Sequence, residues 1–101
     1  MVYAKKIDQN QPEIIRTFRE LGAMVSVTSM VGQGFTDLVV QFRRPCNGHI
    51  VTLLVEIKDG SLSPSRQSLT PQQKIFHSAW NCHIVTCVKD VYDLLEIDYH
   101  D

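Results

Sequence analysis

The chain has 101 residues, 44% of them hydrophobic, and 10 Lys and Arg against 11 Asp and Glu give a formal charge of −1. That size suits one domain built on one core, and the near-neutral balance excludes a strongly basic, nonspecific nucleic-acid binder, leaving phosphate contacts to local clusters of Lys and Arg. No apolar run approaches the roughly 20 residues of a membrane span, and "MVYAKKIDQNQ" lacks the apolar stretch of a secretory signal, so a cytoplasmic protein is expected.

"NQPEIIRTFRELGA" (Asn10 to Ala23) carries helix punctuation: Asn10 as cap, Pro12 in the first turn and Glu13 three residues after the cap, a capping-box pattern. Ile14, Ile15, Phe18 and Leu21 form its apolar face, with Arg16, Arg19 and Glu20 outward, and Gly22 ends it. "MVSVTSM" (Met24 to Met30) alternates like a strand with one wet face, and the glycines of "GQG" (Gly32 to Gly34) mark a tight connection. A second strand is expected from about Thr36 to Arg43 and a third from Ile50 to Lys58, joined through the hairpin signal Asn47-Gly48. Arg43 and Arg44 at this turn read as solvated charges. The third strand is nearly all apolar, as a central strand covered on both faces should be.

"DGSLSPSRQS" (Asp59 to Ser68) reads as a polar loop. "LTPQQKIFHSAW" opens a helix with Thr70 as cap, Pro71 first inside and Gln73 closing a capping box; Ile75, Phe76, Ala79 and Trp80 supply its apolar side. On this reading Phe76 and Trp80 are core residues. "CHIVTCV" (Cys82 to Val88) is a fourth strand, and "KDVYDLLEI" (Lys89 to Ile97) a short helix capped by Asp90. The three cysteines, an odd number without a CxxC spacing, point to reduced, buried thiols and against a disulfide framework or a shared metal site. The order α-β-β-β-α-β-α implies a mixed four-stranded sheet, an antiparallel meander plus one parallel strand brought back by a right-handed crossover, flanked by helices.

Charges stand at two strand ends. Asp37 opens the second strand, and Glu56 and Lys58 close the third on one face. An antiparallel hairpin makes these ends neighbours, with Asp37 expected opposite residue 57 or 58. Two carboxylates a few ångströms apart repel unless a cation lies between them, and such hard oxygen ligands suit Mg²⁺ or Mn²⁺. With Lys58 adjacent, the set fits metal-assisted phosphodiester hydrolysis. The same residues would also serve as a plain salt bridge. Gln73 fits both capping and catalysis, and His77, one turn later, reads as solvated or half-buried. His49 and His83, with no paired ligand nearby in sequence, read as structural.

A helix bearing Glu13, then "GFTDL", "EIK" and "LTPQQ" at the start of a helix, resembles the PD-(D/E)xK nuclease superfamily, and more closely its virus-type replication-repair (VRR-NUC) branch. There the order is a helix with Glu, then G-x-P-D-L, E-x-K and L-[ST]-x-x-Q. The resemblance spans about residues 10 to 90, and the family proline is replaced by Thr36. It implies a restriction-endonuclease-like core and a Mg²⁺- or Mn²⁺-dependent DNA endonuclease. Asp37, Glu56 and the backbone carbonyl of Ile57 would hold the metal, and Glu13 a metal-bound water or second metal. Lys58 would act on the attacking water and the transition state, with Gln73 positioning Lys58 or the phosphate. Standalone members are similar to Holliday-junction resolvases, implying branched DNA as partner, a homodimer, a role in DNA repair and a phage or prophage origin in a bacterial host. No membrane partner and no nucleotide cofactor are implied. The alternative is a silent nuclease-fold module that binds nucleic acid or a protein. From the expected topology, Lys5, Lys6, Arg16, Arg19, Arg66 and Lys74 border the site as DNA contacts.

Overall fold

The computed structural model describes residues 8–100; Lys5 and Lys6 lie outside them. The elements run α1 (Gln11–Glu20), β1 (Met24–Val27), β2 (Leu38–Arg43), β3 (Ile50–Ile57), α2 (Pro64–Gln67), α3 (Pro71–Ala79), β4 (Cys82–Val85) and α4 (Val88–Leu95). The sheet order is β1-β2-β3-β4, with antiparallel β1–β2 and β2–β3 pairs and β4 parallel to β3. This is the expected restriction-endonuclease-like arrangement, with one extra turn of helix, α2, inside the stretch read as a loop.

Strand alternation divides the sheet into a closed face and an open one. Leu38, Val40, Phe42, Leu53, Val55, Ile57 and Val85 point to the closed face and join Ile14 and Phe18 of α1 and Val91 and Leu95 of α4 in the core. Residues of opposite parity, Asp37 and Glu56 among them, point to the other face. There Met24 and Ile84 remain exposed. The third strand is therefore central but not covered along both faces. Its first residues, Ile50 to Thr52, are exposed or half-buried, and only its end is enclosed.

Several boundaries differ from the sequence reading for identifiable reasons. β1 stops at Val27 because Thr28 turns back to the start of β2: its N–H donates to Asp37 O at 2.7 Å and its hydroxyl to Thr36 O at 2.8 Å. Asn10 is not a side-chain cap. It has helical backbone angles, and its Nδ2 donates to Lys58 O (3.2 Å) and Thr86 O (3.1 Å), fastening the start of α1 to the ends of β3 and β4. At the other end of α1, Gly22 takes φ +95°, with Gly22 N–H bonded to Arg19 O and Ala23 N–H to Phe18 O, a Schellman closure. β4 ends at Val85 since the Thr86 N–H and hydroxyl both donate to Asp90 Oδ2. Cys87, not Asp90, occupies the cap position of α4, and Asp90 sits in its first turn. Burial opposes ionisation of Asp90, but the hydrogen bonds from Thr86 and Cys87 prevail and hold its carboxyl below the usual range.

Arg44 is tied down: it pairs with Glu96 at 2.6 Å and donates to Leu94 O at 3.3 Å, fixing the β2–β3 turn to α4. The cysteines are free, as expected, yet Cys46 and Cys87 are exposed and Cys82 half-buried. The largest departure is α3, where only Gln73 is buried; Ile75 and Trp80 are exposed.

Candidate active site

The hairpin register ends with Leu38 opposite Val55, so Asp37, one residue before β2, falls beside Glu56, one or two residues from the expected partner. Directly opposed residues have Cβ atoms about 5 Å apart on the same face. Lys58, two residues beyond Glu56, shares that face, and its Nζ stands 3.8 Å from Glu56 Oε2. All three are buried: Asp37 is 3%, Glu56 1% and Lys58 8% exposed. Asp37 Oδ2 accepts the Ile57 N–H at 2.8 Å, which locks this carboxylate across the two strands. Thr36, where the family has proline, is fully buried, and its hydroxyl donates to Leu38 O at 3.2 Å. The chain before Asp37 is thus held by a hydrogen bond in place of a ring.

Gln73 enters from α3 and joins the two charges. Its Oε1 accepts from Lys58 Nζ (2.9 Å), and its Nε2 donates to Glu56 Oε2 (3.0 Å). The same Oε1 accepts the Thr70 N–H at 2.9 Å, while Thr70 Oγ1 accepts the Gln73 N–H at 3.2 Å, completing the capping box. One side chain therefore closes the capping box and bonds both Lys58 and Glu56. Two donors converge on Oε1 and a carboxylate faces Nε2, so the amide has only one orientation that satisfies all its partners.

This bridge gives a sharp test. Gln73→Glu preserves the capping box, in which Glu and Gln serve alike, but replaces the donor facing Glu56 with a second carboxylate oxygen. The expected result is a lower melting temperature in metal-free buffer and at least tenfold lower cleavage. Unchanged melting and cleavage would reduce Gln73 to a cap.

The position of α3 depends on Gly34. Its φ is +80°, and a Cβ there would collide with the Gln72 carbonyl oxygen at the first turn of α3. Gly34→Ala is expected to push this turn away, cost about 1–3 kcal/mol and reduce activity, both read from one preparation by denaturant titration and cleavage rate.

A cleft of about 270 Å³ opens over these groups, lined by Asp8, Asp37, Glu56, Lys58, Leu62, Arg66, Ser68, Thr70 and Gln73. Of the expected residues, the structure unites Asp37, Glu56, Lys58, Gln73 and Arg66, with Lys74 exposed on the adjoining turn. Glu13 is elsewhere. α1 packs on the closed face of the sheet, and Glu13 lines a separate groove with Asn10, Asp59, Gly60, Thr86 and Lys89. Arg16 and Arg19 also project away from the cleft: Arg16 approaches Glu20 at 3.8 Å, and Arg19 donates to Val25 O at 3.5 Å. Asp8 is an acid that no sequence motif singles out; it stands just before α1, where the chain passes the end of β3.

Among the described residues, no three His, Cys, Asp or Glu side chains close on a single point. The donor set nevertheless fits Mg²⁺, which typically takes one or two carboxylates, several waters and phosphate oxygens. Among the described residues, three carboxylates (Asp8, Asp37, Glu56) against two cations (Lys58, Arg66) give the lining of the cleft a formal charge of −1. A divalent ion and one phosphodiester together would bring that sum to zero.

A mixed four-stranded sheet with an Asp at the head of one strand, Glu-x-Lys at the end of its neighbour and a Gln from the following helix is consistent with the restriction-endonuclease-like fold. No family model matches the chain, and neither does any curated protein. Among solved structures, one described as a VRR_NUC domain is similar over 91% of this chain and 100% of its own, with 26% identity and a TM-score of 0.58. Taken with the motif order, this likeness supports assigning the chain to the VRR-NUC nuclease family.

Proposed function

We propose that the protein is a Mg²⁺- or Mn²⁺-dependent DNA endonuclease acting on branched DNA as a homodimer. The observation that carries the metal-dependent reading is the buried Asp37–Glu56 pair, joined to Lys58 through Gln73. A plain salt bridge needs one carboxylate for Lys58. Two acids at adjoining strand ends, buried and lining one cleft, repel each other, and a divalent ion between them offsets that repulsion.

Asp37, Glu56 and the Ile57 carbonyl are the groups that would hold the ion, which when bound supplies positive charge to the phosphate and lowers the pKa of water. Lys58 is aimed by Gln73 Oε1 and sits beside the carboxylates, where it orients the attacking water and stabilises charge developing on the phosphate. Gln73 keeps Glu56 and Lys58 at a fixed separation, so neither must reorganise as charge moves. Asp8 adds negative charge at the rim, and Arg66 and Lys74 offer phosphate contacts. Symmetric cuts across a junction require two sites related by a two-fold axis, which is the reason for proposing a homodimer.

The test is cleavage of end-labelled four-way junction, flap and linear duplex DNA with Mg²⁺, Mn²⁺ or EDTA, alongside light scattering at micromolar protein. The expected outcome is metal-dependent cutting, fastest on the junction, by a dimer whose DNA affinity falls steeply with salt. A strict monomer that cuts only flaps would refute the junction reading and leave the nuclease reading intact.

A further inference from the structure

α3 carries an aromatic stripe that begins at the catalytic cleft and leaves it. Gln73, Phe76 and His77 fall at i, i+3 and i+4 on one face of α3, and Trp80 follows as the residue that ends the helix, with extended backbone angles. Gln73 ends in the cleft. Further along, Phe35, two residues before Asp37, meets Phe76 edge-on at 5.2 Å between ring centroids, with an interplanar angle of 71°. Phe76 in turn stacks on Trp80 at 5.8 Å and 15°. Such a stripe normally seats a helix on a core, but here it runs out past the sheet: Trp80 is 58% exposed. The indole is stacked on a ring that is itself braced by Phe35, while more than half of the Trp80 surface stays exposed.

We propose that Trp80 is a stacking platform for an unpaired nucleobase close to the scissile phosphate, so that the enzyme engages DNA with single-stranded or frayed character beside its cut. This rests on the nuclease reading and adds to it which part of the substrate the protein holds. Trp80 follows Gln73 by seven positions along α3 and its C-terminal end, about 10 Å at 1.5 Å per residue, a distance that two or three nucleotides span. Stacking on an exposed ring is worth about 1–3 kcal/mol per base and tolerates any sequence. A rigid, pre-stacked indole meets that need with little ordering cost on binding.

The cations are placed to match. Arg66 lines the cleft, and Lys74 follows Gln73 on the first turn of α3, so a strand running from the cleft to Trp80 passes positive charge. A second copy of the chain is the competing occupant. The exposed aliphatic residues that would serve it do not form one patch with the stripe: Met24 and Val27 lie on the edge strand β1, Ile50 at the start of β3, Ile84 on the opposite edge strand β4, and Ile75 on a different side of α3.

Trp80 is the only tryptophan, so its emission reports on this position alone. The experiment titrates protein in metal-free buffer with fluorescein-labelled (dT)10, with the same length of blunt duplex as comparison, following indole emission and label anisotropy together. The expected result is quenching by (dT)10 that tracks its binding, little quenching by bound duplex, and affinity for (dT)10 about tenfold weaker in Trp80→Ala and largely restored in Trp80→Phe. Bound (dT)10 without quenching, equal affinity in Trp80→Ala, or no binding of (dT)10 would overturn the platform. So would a concentration-dependent blue shift without DNA, the mark of a second copy covering the indole. Cleavage assayed separately on duplex and junction DNA decides the nuclease reading, so the two claims fail independently.

Discussion

Asp37→Asn and Glu56→Gln are each expected to abolish metal-dependent DNA cleavage while raising the melting temperature in metal-free buffer. The two effects share a cause. The acids stand at adjoining ends of β2 and β3, nearly buried, with Lys58 beside Glu56. Neutralising either acid relieves repulsion between like charges and removes a ligand at once. Both replacements can keep the hydrogen bonds to Ile57 and Gln73. An amide oxygen at position 37 can still accept the Ile57 N–H, and one at position 56 can still accept from Gln73 Nε2, so a folding defect is not the expected outcome. Glu13→Gln is the matched control. Its groove lies apart from the cleft, and the variant is expected to cleave at the normal rate. Full activity in Asp37→Asn or Glu56→Gln would remove those acids from the site, and a tenfold loss in Glu13→Gln would return Glu13 to it.

Lys58→Ala should lower the cleavage rate by roughly 10²-fold or more, the loss typical of a group that moves a proton or stabilises developing charge. DNA affinity should change much less, because Arg66 and Lys74 remain. Removing the buried cation also leaves Asp37 and Glu56 to repel without it, so this variant should be less stable than wild type without metal and recover on adding Mn²⁺. The opposite stability signs of Lys58→Ala and Asp37→Asn separate an unbalanced acidic pair from an ordinary salt bridge, for which both variants would be destabilised. Normal cutting with weak binding would instead make Lys58 a simple phosphate contact.

The features legible in the sequence are those set by local rules or strand periodicity. Glu56 and Lys58 must share a face because they are two apart in a strand, and the hairpin brings Asp37 to them. Only the offset escapes, since it depends on how the Arg44–His49 turn closes. Gln73 is legible because Thr70, Pro71 and Gln73 spell a capping box, and the box itself turns the side chain toward Lys58. Asn10 shows where local rules fail. It has a cap's chemistry and position, but two carbonyls at the ends of β3 and the β4–α4 connection take its amide instead. Glu13 and Asp8 exchange importance for a related reason: the face of the sheet on which α1 docks decides which acid meets the cleft, and no spacing within the helix encodes that. Trp80 reads as core in the sequence because helical periodicity marks an apolar stripe without saying whether anything covers it.

Calorimetric titration of Mn²⁺ into wild-type protein and Asp37→Asn, without DNA, tests the central claim most directly, because it asks whether the buried acids form a metal site before any substrate arrives. The account predicts saturable binding by the wild type that is lost or weakened at least tenfold in the variant, together with a rise in wild-type melting temperature over the same Mn²⁺ range. Absence of binding to the wild type, or equal binding by both proteins, would contradict it.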